Sequence, residues 1–124
     1  MLQLHHFGMA HRDILFLLPH GFPDGPGAPY YCPDCAQIAG LLRLSPELMS
    51  QVDIRYTQFP RPRPEIVALV GEAHQSCPLL VLDPSSPAPS GGCEVHSPTG
   101  HRFLNSVSAI GTYWSERFGT PRPH

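Results

Sequence analysis

The sequence predicts an α/β domain in which three main helices cover a mixed four-stranded sheet. Three observations predict it. Short apolar runs of strand character alternate with stretches of helical periodicity. The 16 prolines and 11 glycines of the 124 residues concentrate at 19–29, 60–64 and 84–100, between those stretches. The resulting order, β-α-β-α-β-β-α, joins the first two strands through a helix, which implies a right-handed parallel crossover, while the last two strands can form a hairpin.

The first strand is Asp13 to Leu18, a short continuous apolar run stopped by Pro19. A Pro/Gly loop, His20 to Tyr31, delivers the chain to Cys32-Pro33-Asp34-Cys35. With Cys32 at the N-cap, Pro33 falls at the first helical position, where a missing N–H costs nothing. Cys35, Ile38, Leu41 and Leu42 form the apolar side of this helix, and small Ala39 and Gly40 leave room for a neighbour to approach. Pro46 ends the helix or starts a short extra turn through Leu48 and Met49. Val52, Ile54, Tyr56 and Gln58 alternate with Asp53, Arg55 and Thr57, the period of a second strand.

Pro64 opens a second helix with Ile66, Leu69, Val70 and Ala73 at i, i+3, i+4, i+7. Pro78 to Leu82 is a third strand, apolar throughout and suited to the sheet interior, and His101 to Leu104 a short fourth. Asn105 or Ser106 caps a last helix with Val107, Ile110, Trp114 and Phe118 on one face and Gly119 at its end. One domain, 13–118, carries long loops at 19–31 and 83–100. Residues 1–12, with His5, His6 and His11, read as a loose leader, and 119–124 as a tail.

The formal net charge of −2 argues against a nucleic-acid binder or a polybasic membrane module. All eight basic residues are Arg, so any carboxylate would be held by guanidinium groups. The N-terminal stretch has no export-signal pattern, and no apolar segment could span a bilayer. The expected address is cytoplasmic, where a Cys-x-x-Cys pair is catalytic, redox-sensing or metal-binding more often than a permanent staple.

Disulfide exchange and metal ligation both need two sulfurs brought together, and the first turn of a helix does that. The helix N-terminus favours a thiolate at Cys32, whereas Asp34 adds negative charge in the same turn. In the redox reading Cys32 is the nucleophile and Cys35 the resolving thiol. In the metal reading Cys32, Cys35 and Cys77, with Cys93 or His96, complete a tetrahedral zinc site. The metal reading makes the protein a non-enzymatic binding module, and the alternative to both is a homodimeric interaction domain with two inert cysteines. Cys77 is then a small buried side chain, and Cys93 and His96 belong to an exposed loop.

The order of elements, with Cys-x-x-Cys opening the first helix and Pro78 opening the third strand, resembles the thioredoxin-like fold over residues 13–118. Cys32-Pro33-Asp34-Cys35 is similar to the Cys-Pro-x-Cys of glutaredoxins. Ser76-Cys77-Pro78-Leu79-Leu80 and Asn105-Ser106-Val107-Ser108-Ala109-Ile110 resemble the cis-proline strand and last-helix start of the glutathione transferase N-terminal domain. With Tyr31, Phe59-Pro60-Arg61-Pro62-Arg63, Gly71-Glu72 and Gln75, these motifs look like an uncharacterised bacterial family of small thioredoxin-like proteins.

The resemblance implies a cis bond before Pro78, placing the Cys77 backbone beside Cys32 to bind an extended thiol or disulfide substrate, glutathione or a protein. By position, Arg63 is a candidate for one glutathione carboxylate and Ser106 or Asn105 for the other, with surface charge and plain N-capping as their ordinary roles. Tyr30 and Tyr31 would shield Cys32 or wall the substrate groove. No stretch of these residues resembles the second, all-helical domain of the transferases, so transferase activity is not expected.

Overall fold

The structure, a computed structural model, describes residues 11–124. Most of the expected leader, including His5 and His6, lies outside the described residues. The elements are β1 (Asp13–Leu17), α1 (Pro33–Leu44), a 3-10 turn (Pro46–Ser50), β2 (Val52–Tyr56), α2 (Pro64–Val70), β3 (Leu79–Val81), β4 (Glu94–His96), β5 (His101–Leu104) and α3 (Val107–Phe118). They form a mixed five-stranded sheet in the order β2-β1-β3-β5-β4. β1 and β2 run parallel, and every other pair is antiparallel.

The sheet has five strands, not the expected four. The extra one, β4, lies inside the 83–100 segment and pairs Glu94, Val95 and His96 with Phe103, Arg102 and His101. A tight turn closed by the Gly100 N–H to the His96 carbonyl at 2.7 Å joins the two strands. Because β4 is three residues long and buries none of them, it leaves no hydrophobic pattern to read. It extends the far edge and leaves the order β2-β1-β3-β5 undisturbed.

The uninterrupted apolar runs of β1 and β3 follow from a sheet covered on both faces. Leu15, Leu17, Leu80 and Leu104 point into one cluster with Ile38 and Leu42 of α1 and Ile110, Tyr113 and Trp114 of α3. Phe16, Leu79, Val81 and Phe103 point to the other face, against Ile66 and Val70 of α2. Each such fully buried side chain contributes on the order of 1.5–3 kcal/mol by leaving water, and together they fix the register of the strands that carry the site.

Two local expectations are corrected. α2 stops at Val70 because Gly71 takes φ +87°, so Ala73 lies beyond the helix and is exposed. A Cβ on Gly40 would meet nothing within 4 Å, so that glycine serves no close approach; the close contact is at Gly111 of α3, where a Cβ would stand 3.1 Å from Pro123 of the C-terminal segment.

At the start of β1 the buried Asp13 carboxylate accepts from the Asp83 N–H at 2.7 Å, the Ser86 hydroxyl at 2.6 Å and Arg117 Nη1 at 2.7 Å. Arg102 adds donations to the Asp83 and Ser86 carbonyls at 2.8 and 2.9 Å. This network ties β1, the segment after β3 and the last turn of α3 together at the sheet end opposite Cys32.

Candidate functional site

α1 begins at a cysteine. Cys32 occupies the N-cap with extended backbone angles, Pro33 takes the first turn, and the Cys35 N–H donates to Cys32 Sγ at 3.2 Å. The sulfur thus plays the part usually taken by a Ser or Asp oxygen, and negative charge formed on it meets a backbone donor. Cys32 is half-buried, and its thiol faces the Cys77 carbonyl at 3.8 Å.

Cys35 lies one turn on and points inward, 5 % exposed, where its sulfur accepts the Leu18 N–H at 3.4 Å. Burial pushes this thiol up to about 12; the neighbouring Cys32 sulfur pushes the same way, and the Leu18 donor opposes both. The two cysteines are chemically unequal: one reachable, the other a buried thiol that holds its proton. All four cysteines of the chain are free.

Leu17, Pro19, His20, Tyr31, Cys32 and Tyr56 border a hollow of about 60 Å³ over the two cysteines. It admits the end of a side chain, not the body of a small molecule. A wider groove of about 550 Å³, lined by Leu42, Pro46, Met49 and Ile54, shares Ala39 and Tyr56 with it. Tyr31 is 57 % exposed, its ring 5.9 Å from that of His20. Tyr30 instead joins Phe22 in a two-residue bridge, and Phe22 stacks on Phe59 at 4.5 Å. His20 and Tyr56 were not expected at the site. The parallel pairing of β1 and β2, with Leu17 opposite Tyr56, is what brings Tyr56 there.

The Cys77–Pro78 bond is cis, as is Arg61–Pro62. Cys77 is half-buried and packs against both core clusters. Burial pushes its thiol up to about 11, with the guanidinium groups of Arg63 and Arg61 pulling it down and the Cys32 sulfur pushing it up.

Arg63 is not a surface arginine. It is 4 % exposed, and its guanidinium donates to the Phe59 carbonyl at 2.6 and 3.1 Å and to the Gln75 carbonyl at 2.6 Å. Its own backbone N–H donates to Gln75 Oε1 at 2.6 Å. The expected carboxylate ligand is thus a buried brace between the segment before α2 and the segment before β3. Ser106 accepts the Ala109 N–H at 3.2 Å, a plain N-cap of α3. Among the described residues no three Cys, His, Asp or Glu side chains come together to hold a metal ion, so the expected zinc set of Cys32, Cys35, Cys77 and Cys93 or His96 is not assembled. His96 lies over Gly71, at the end of α2. No described helix is long and apolar enough to cross a membrane.

A family model described as protein of unknown function (DUF3088) matches residues 12–122, and the chain belongs to that family. No curated protein and no solved structure matches it.

Proposed function

We propose that this DUF3088 protein is a thioredoxin-like thiol–disulfide oxidoreductase of the glutaredoxin kind, acting in a reducing cytoplasmic setting. The observation that carries the reading is the pairing of a half-buried Cys32 at the N-cap of a twelve-residue helix with a buried Cys35 one turn behind it. The strand order β2-β1-β3-β5, with parallel β1 and β2 and antiparallel β3 and β5, supports the fold assignment, with β4 as an edge insertion.

In the first step the Cys32 thiolate attacks one sulfur of a disulfide RSSR. The S–S bond breaks, RS⁻ leaves and a Cys32–SR mixed disulfide forms. The internal thiol Cys35 then loses its proton and attacks Cys32 Sγ, releasing the second RS⁻. The substrate gains two electrons and the protein's dithiol loses them; two external thiols such as glutathione restore it. The small hollow suits the thiol-bearing end of a substrate, and the wider groove beside it suits the remainder of a glutathione or peptide chain.

Reduced protein mixed with glutathione disulfide should release glutathione while its own free-thiol count falls, and Cys32→Ser should abolish both changes. A wild-type protein that releases no thiol and keeps all its own refutes the proposal.

A further inference from the structure

The dithiol mechanism leaves a third sulfur unused. Cys77 sits directly before Pro78, and its carbonyl lies 3.8 Å from Cys32 Sγ. Where Cys35 is buried, Cys77 is half-buried at the seam of the two core clusters. The Arg63 guanidinium stands beside its sulfur, held there by the Phe59 and Gln75 carbonyls, and Arg61 adds a second positive charge nearby. Fixed positive charge next to a thiol favours the thiolate that attacks.

We propose that Cys77 is a second resolving thiol, competing with Cys35 for the Cys32 sulfur. The proposal rests on the reading of Cys32 as the nucleophile. Once Cys32 carries –SR, the Cys77 thiol gives up its proton to solvent and attacks Cys32 Sγ. The Cys32–SR bond breaks, RS⁻ leaves and a Cys32–Cys77 disulfide forms. The electron count equals that of the Cys35 route: RSSR gains two electrons, and Cys32 and Cys77 lose one each.

The two resolving thiols differ in kind. Burial pushes Cys35 up to about 12 and Cys77 up to about 11, with arginines opposing burial only at Cys77. The fixed positive charge and the lesser burial both favour Cys77 as the attacking thiolate. The Cys32–Cys77 bond would join the start of α1 to the segment that leads into β3 and take up the Cys32 sulfur that borders the hollow. An oxidant that drives this link therefore removes the free nucleophile from the site.

The test uses the full chain carrying Cys93→Ser, so that non-reducing peptide mass mapping has one candidate partner in the 56–102 region. In that background Cys35→Ser, reduced and given one equivalent of glutathione disulfide, should release two equivalents of glutathione and yield a Cys32–Cys77 cross-link. Adding Cys77→Ser should stop the reaction at one equivalent, with glutathione retained on Cys32. If the chain with Cys77 intact also stops at one equivalent, the second resolving thiol is overturned while the oxidoreductase reading stands. If the chain lacking both Cys35 and Cys77 takes up no glutathione, the oxidoreductase reading fails and this proposal with it. Circular dichroism checks that each variant folds. Should one not fold, the chain carrying only Cys93→Ser decides: an early Cys32–Cys77 cross-link supports the proposal, and its absence at every time point overturns it.

Discussion

Replacing Asp13 by Ala should be among the costliest single changes available to this fold. The carboxylate is 1 % exposed and accepts three hydrogen bonds, from Asp83, Ser86 and Arg117. Hydrogen bonds to a charged group contribute about 1.5–3 kcal/mol each when counted singly, but the three share one acceptor group and do not add. Removing the carboxylate also strands the Arg117 guanidinium. Loss of one partner of a buried pair costs about 3–5 kcal/mol, and the Arg117 side chain, 21 % exposed, recovers part of that by turning to water. Weighing these gives a loss of about 3–4 kcal/mol for Asp13→Ala, enough to remove much of the margin of an ordinary domain. Asp13→Asn, which keeps one acceptor oxygen, should lose less. Urea unfolding followed by the fluorescence of Trp114, the sole tryptophan and 1 % exposed, measures both. A loss below about 1 kcal/mol in Asp13→Ala, at unchanged denaturant slope, would refute the reasoning.

Four further outcomes are expected. Alkaline stability should show the buried thiols. Cys35 is raised from 9.0 to about 12, so between those values the unfolded chain releases a proton that the folded chain keeps. Stability from this group is full below pH 9 and falls on the order of 1 kcal/mol per pH unit as pH rises towards 12; urea titrations of wild type and Cys35→Ser should differ in that slope. Gly71→Ala places a Cβ 2.6 Å from the His96 ring on a backbone of φ +87°, and should cost roughly 1–3 kcal/mol. Gly40→Ala, in open space within α1, should stabilise by about 0.5–1 kcal/mol; thermal unfolding of the two variants should shift in opposite directions. Finally, Arg63→Lys should destabilise by about 1–3 kcal/mol, because an ammonium cannot reach the Phe59 and Gln75 carbonyls as the guanidinium fork does. Chemical denaturation measures that loss.

The sequence made legible whatever depends on burial period or on backbone chemistry. Strands β1, β2, β3 and β5 and all three helices begin where apolar spacing, Pro33 and Pro64 put them, α3 ends at Gly119, and only α2 stops short of its apolar spacing, at Val70. β4 was not legible because its three residues owe their conformation to pairing with β5 and not to burial. The same distinction runs through the site. Cys32 and Cys35 could be found because a helix start dictates what a Cys-x-x-Cys pair does locally. Arg63 was misread because only the folded chain brings the Phe59 and Gln75 carbonyls to it; arginine between prolines looks like surface. His20 and Tyr56 carry no motif, and reach the hollow through the loop after β1 and the pairing of β1 with β2.

The two margins of the sheet are unlike, and that has a bearing on self-association. β2 offers five residues of open hydrogen-bonding edge, but Arg55 lies there in contact with Asp53 and Glu65, a strip of fixed charge that an incoming strand would have to desolvate. β4, at the other margin, offers only three residues before the chain turns back. A neighbouring sheet would thus meet ions at one side and too short a template at the other. The central strand that leads to Cys32 therefore stays screened from strand exchange.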